Sequence, residues 1–175
     1  MTRLRSVPHD PVDRAHLPLD EWRLVESRPG ADLGLLETLF ATANGFMGMR
    51  GTPEEGRDVG SHGTFLNGFH ETWRINHAES AYGFAKVGQT MISVPDSSPI
   101  KLYVDDEPLL LSIADLVEYE RWIDFREGVL WRDLVWRTPA GKHVRVRSSR
   151  MVSFEQRHLA PVSYTHLTLP TTPYV

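Results

Sequence analysis

The chain has 175 residues, a formal charge of −4 and no cysteine, with 41% apolar and 24% charged side chains. That composition is ordinary for a folded domain with a core of its own, and the missing thiols exclude a disulfide framework, thiolate metal sites and a cysteine nucleophile. No run is basic enough for a nucleic-acid surface, and none approaches the ~20 apolar residues that cross a bilayer.

Positions 1–20 are polar, with prolines at 8, 11 and 18, and read as an extended N-terminal arm. Met1 to Pro8 lacks the apolar run of a signal peptide, so a cytoplasmic location is expected. Trp22 to Glu26 is a short strand stopped by Pro29-Gly30. Leu35 to Phe40 and Phe46 to Arg50 flank Asn44-Gly45, which suits a type I′ hairpin turn; the first arm could instead be a short helix, given its Leu, Glu and Ala content. Ile100, Leu102 and Val104 alternate with Lys101 and Tyr103, Asp105-Asp106-Glu107-Pro108 makes a turn, and Leu109 to Leu111 reads as the returning strand. The clearest hairpin joins Leu130–Arg137 to His143–Arg147 through Thr138 to Lys142. In its second arm Val144 and Val146 face one way while His143, Arg145 and Arg147 face the other. Arg145, Arg147 and Arg150 together read as the solvent face of a strand.

Positions 158–175 contain no Asp, Glu, Lys or Arg, although 42 charged residues precede them. Residues 161–175, rich in Thr and Pro, are therefore read as an anomalous tail resembling a translated adaptor or frame artefact and are set apart from the fold. No window longer than ten residues carries a helical stripe. Trp22, Trp73, Trp122, Trp131 and Trp136 suit broad sheet faces packed on each other. The fold class expected is all-β, an antiparallel β-sandwich, with residues 21–160 as its domain.

Residue chemistry alone gives no catalytic centre. His62, His70 and His77 are eight and seven residues apart and lack the tight pair of a zinc site, so no metal is expected. Glu54-Glu55 and Asp105-Asp106-Glu107 are adjacent acids in turns, read as solvated rather than held across a cleft. The glycines of Gly45 to Gly51 fit neither a P-loop nor a dinucleotide motif and point to close backbone packing.

The run Glu37-Thr38-Leu39-Phe40-Ala41-Thr42-Ala43-Asn44-Gly45-Phe46-Met47-Gly48-Met49-Arg50-Gly51, followed by Glu54-Glu55, resembles the amino-terminal signature of glycoside hydrolase family 65, E-S/T-L-F-A-L-G-N-G-Y-L-G-V-R-G with paired acids after it. Thr64 to Glu71 is similar to the family's T-Y-V-x-G-F-Y-E, and the likeness runs on through Leu102 to Pro108, Phe125 to Leu130 and Val144 to Ala160. Ala43, Phe46 and His70 depart from the usual Gly, Tyr and Tyr.

The resemblance implies a galactose-mutarotase-like super-sandwich, truncated before an (α/α)6 catalytic barrel that carries the general-acid Glu. It implies a parent that splits α-linked glucose disaccharides with inversion, by phosphorolysis or hydrolysis, as a homodimer. No cofactor is expected, only inorganic phosphate as co-substrate if the parent is a phosphorylase. The partners expected are the disaccharide and the parent's own barrel, with neither nucleic acid nor membrane. No residue here inherits a catalytic role. The positions expected nearest the sugar cleft are the loop Arg50 to Arg57, with Arg50, Glu54 and Glu55, and then Asn67, His70 and Glu71; the competing reading of Arg50 and Glu55 is an ion pair. The alternative for the whole chain is a stand-alone carbohydrate-binding sandwich that holds sugars on exposed aromatics.

Overall fold

The computed structural model describes residues 12–18, 20–30, 32–56, 61 and 63–169. The expectations for residues 1–11, Arg57, His62 and 170–175 lie outside them. The elements in chain order are β1 (Arg23–Glu26), α1 (Leu33–Leu39), β2 (Thr42–Ala43), β3 (Met47–Met49), β4 (Thr64–Arg74), β5 (Val87–Ser93), β6 (Tyr103–Val104), β7 (Glu107–Pro108), β8 (Asp115–Asp124), β9 (Val129–Arg137), β10 (His143–Met151) and β11 (Val162–Leu169). Every described pairing is antiparallel: a five-stranded sheet in the order β1-β8-β9-β10-β11, a four-stranded sheet β2-β3-β4-β5, and the two-stranded β6-β7. Among the described residues no helix is long and apolar enough to cross a membrane.

Register sorts the five-stranded sheet into rows, because residues directly opposite one another share a face. On the inner face one row is Leu24, Ile123, Leu130, Arg150 and Val162. The next is Glu26, Arg121, Arg132, Ser148 and Tyr164, and the one after it runs Tyr119, Leu134, Val146 and His166. The outer rows are Val25, Trp122, Trp131, Ser149 and Ser163, then Glu120, Asp133, Arg147 and Thr165. Apolar packing on the inner face forms two groups. Leu17, Leu36 and Phe40 pack on Ile123 and Leu130 at one end, and Leu102 and Leu109 pack on Leu134, Trp136, Val144 and Val146 at the other. The charged row crosses between them.

Several sequence expectations shift. Leu33–Leu39 is a helix, capped by the Asp32 carboxylate on the Leu35 amide, because Leu36 and Phe40 lie one turn apart and are buried together. The hairpin at Asn44-Gly45 is β2–β3, but Gly45 alone has a positive φ there, so the turn is not type I′. The Asn44 carboxamide accepts from the amides of Phe46 and Met47. Asp105 and Asp106 both take positive φ, and the strand returns at Glu107–Pro108 rather than at Leu109. Arg150 is buried on the inner face, because its position is out of phase with Arg145 and Arg147 on the outer one. Trp136 is buried in the core, whereas Trp22 and Trp73 are largely exposed. Val162–Leu169, set apart from the fold by composition, pairs along the whole of β10 as an edge strand.

Candidate functional site

The densest polar assembly is the charged row of the inner face and the loop that descends on it. After β3 the chain turns inward at Gly51, where a Cβ would stand 2.5 Å from the Phe40 Cβ and 2.7 Å from its carbonyl. This close approach drops Thr52 to Glu55 onto the sheet. Glu54 and Glu55 are 4% and 2% exposed. Glu55 accepts a bidentate pair of hydrogen bonds from Arg132, both 2.8 Å. Glu54 accepts from Arg150 Nη2 at 3.0 Å and Ser148 Oγ at 3.1 Å, and its other oxygen lies 3.0 Å from Arg132 Nη2.

The loop backbone is held as well. Arg150 Nη2 donates to the Thr52 carbonyl at 3.0 Å, Arg121 donates to the Gly51 carbonyl, and the Ile100 amide donates to Glu54 O at 2.6 Å. Arg121 also stacks over the Phe40 ring, 4.5 Å from its centroid. At the β1 end Glu26 accepts from Gly30 N at 3.0 Å and Tyr119 Oη at 3.1 Å, with Arg121 Nη1 at 3.6 Å. Three arginines thus meet three glutamates in a region closed to solvent, which is the condition under which buried charge is tolerated.

The electrostatics run against acid–base work. Burial by itself would raise the Glu54 carboxyl, but Arg132, Arg150 and Arg121 outweigh it and bring it down to about 2. A carboxyl that far below neutrality holds no proton to give, whereas a glycosidic general acid needs its pKa raised. Burial lifts the Tyr119 hydroxyl above its ordinary value, and Glu26 adds to the shift. Burial also lifts the Tyr164 hydroxyl, to about 12, with Arg132 opposing and Glu55 and Glu54 assisting. Beside the row lies a cavity of about 180 Å³ with walls of Leu33, Leu36, Pro53 and Leu111. Of its polar lining, Glu26, Tyr119 and Arg121 are bonded to one another and Glu37 is paired with Arg50.

The six sequence-proposed positions fall into two places. Glu54 and Glu55 are buried in the charged row, not solvated in a turn. Arg50 is at its margin, donating to Glu37 Oε2 at 3.3 Å and Gly34 O at 3.1 Å, so its ion partner is Glu37 and that of Glu55 is Arg132. Asn67, His70 and Glu71 lie on β4, all exposed; Gln89 Nε2 is 3.3 Å from His70 Nε2. His77 Nε2 is 2.8 Å from Ala85 O, and among the described residues no His/Asp/Glu group is arranged to hold a metal ion. Arg121 and Arg132 escape a local reading because nothing near them in sequence marks them as partners of the Glu54-Glu55 turn; for Arg150 the one signal is its parity along β10.

This polar row on a β-sheet, capped by the Gly51-to-Glu55 turn, can be set beside known proteins. The sequence profile of the glycosyl hydrolase family 65 N-terminal domain matches residues 26–169. The chain belongs to glycosyl hydrolase family 65. Within the family it is 42% identical to the α,α-trehalose phosphorylase of Thermoanaerobacter brockii over 153 residues, covering 85% of this chain and 20% of that protein. It is 34% identical to the maltose phosphorylase of Bacillus subtilis, covering 87% and 20% respectively. A solved structure of a human-microbiome protein assigned as a kojibiose phosphorylase has the same fold, with a TM-score of 0.75 at 24% identity over 87% of this chain and 20% of that one. The family 65 chain here thus spans about a fifth of the length of these relatives.

Proposed function

We propose that this chain is the amino-terminal β-sandwich of an enzyme acting on α-linked glucose disaccharides, by inverting phosphorolysis or hydrolysis, and that it performs no bond cleavage by itself. The observation that carries the reading is the family match across residues 26–169 combined with a paired-acid turn whose carboxylates are committed to arginines. In this reading the general acid belongs to a catalytic barrel, phosphate is the co-substrate of a phosphorylase parent, and the parent is a cytoplasmic homodimer. Glu54 and Glu55 fix the loop that begins at Arg50, and through it the edge of the sandwich nearest the sugar. Asn67, His70 and Glu71 are the proposed rim positions, because they are the exposed members of the six, whereas Arg50 is only partly exposed and is paired with Glu37. The domain is proposed to begin at 21 and to take in β11 in place of a boundary near 160, because Val162–Leu169 pairs with β10 and the family profile extends to residue 169.

A graft tests this. Residues 26–169 replace the matching stretch of the T. brockii enzyme, and phosphate-dependent release of glucose 1-phosphate from trehalose is measured beside the isolated chain. Retained turnover in the graft and none in the isolated chain is the expected outcome. Turnover by the isolated chain, or a folded graft with no activity, would contradict the reading.

A further inference from the structure

The outer face of the five-stranded sheet carries a second assembly that the charged row does not use. Trp122 and Trp131 are direct cross-strand partners whose rings stack with centroids 6.2 Å apart and planes 14° apart, and both are partly exposed. The two indoles are thus nearly parallel and offset, and part of each is open to solvent. Continuing the same row past Trp131, the chain places Ser149 and Ser163, so no bulky side chain rises beside the indole on that side.

The adjacent row supplies the polar wall. Asp133 accepts from Arg145 Nε at 2.8 Å, Arg145 Nη2 at 2.7 Å and Arg147 Nε at 2.7 Å. Arg147 is 62% exposed, and its Nη groups find no partner among the described residues. Between the indoles and this wall is a depression of about 230 Å³ lined by Trp122, Trp131, Asp133 and Arg147, with Arg132 at its base.

We propose that this depression is a binding site for a neutral pyranose, with Trp131 as the stacking surface and the Arg147–Asp133 pair as the hydrogen-bonding wall. A pyranose has one largely C–H face that packs on an aromatic ring, and a rim of vicinal hydroxyls that both donate and accept. Arg147 offers fixed donors and Asp133 an acceptor side by side. Because Asp133 already holds Arg147 by its Nε, little side-chain freedom is lost on binding. Arg145 and Arg147 are balanced by Asp133 and Glu120 in the same patch, so a neutral polyol suits it better than an anion or a cation. The site cleaves nothing, and it stands or falls apart from the reading of the parent as an enzyme.

The test is a titration of the whole chain with maltose, followed by the indole N–H resonances. The expected result is saturable movement of the Trp122 and Trp131 signals, with a dissociation constant on the order of 1 mM. Arg147→Ala, a change at an exposed side chain, should weaken binding at least about fivefold, with the rest of the spectrum unchanged. Ser149→Phe, which sets an aromatic side chain directly across from Trp131, should do the same by blocking rather than by removing a donor. Indole signals that stay still up to about 50 mM maltose, or an affinity equal in the unaltered, Arg147→Ala and Ser149→Phe chains, would overturn the proposal.

Discussion

Glu54 shows how far a side chain's character depends on residues distant in the sequence. Its partners Arg132 and Arg150 lie 78 and 96 positions away, so a local reading sees two acids in a turn and assigns them to water. Parity along β10 does hold a legible clue: Arg150 falls out of phase with Arg145 and Arg147, which puts it on the apolar face, where an arginine requires a carboxylate. Because the Glu54 carboxyl is lowered from 4.5 to about 2, its contribution to stability is present above pH 4.5 and is lost as the pH falls toward 2. That contribution is about 3 kcal/mol. Urea unfolding followed from pH 6 to pH 2.5 should show the loss, and Glu54→Gln should flatten that part of the profile while lowering stability at neutral pH. At Gly51, alanine would place a methyl against the Phe40 backbone and should cost about 2 kcal/mol in the same assay.

Among the elements, β9 and β10 were readable because a Pro/Gly turn joins two β-rich arms and β10 alternates Val144 and Val146 inward with His143, Arg145 and Arg147 outward. β8 was not, because its alternation breaks at the irregularity between Leu116 and Glu118, and because inward-facing Arg121 interrupts the apolar series. β4 and β5 escaped for a different reason: most of their residues are exposed, so neither face imposes a period of two. In the β6–β7 turn Asp105 and Asp106 sit at positive φ, which favours glycine. Asp106→Gly should raise stability by about 0.5 kcal/mol, read from the urea midpoint. β11 covers the edge of β10 and lays Tyr164 beside Ser148 in the charged row. Deleting Val162–Leu169 should lower the melting temperature by several degrees and cause concentration-dependent association, seen by size-exclusion chromatography, as β10 becomes an open edge.

At the scale of the whole molecule, order is unequal. The five-stranded sheet buries two apolar groups and the charged row between them. The β4–β5 ribbon presents Phe69, Trp73 and Met91 to solvent. Hydrogen exchange should therefore show ribbon amides opening locally, while β9 and β10 exchange only with global unfolding. The family and the β-rich fold were legible because the motif from Glu37 to Gly51 is local and long. The arrangement that explains its paired acids was not, since it forms only when β8, β9 and β10 are laid side by side. Those acids are structural anchors of the turn on the sheet. A double-mutant cycle on Glu55 and Arg132 by urea unfolding tests this most directly. Glu55→Gln and Arg132→Met should each cost about 3 kcal/mol or more, and the pair together clearly less than the two costs added. Single variants within about 0.5 kcal/mol of the parent, or strictly additive losses, would contradict it.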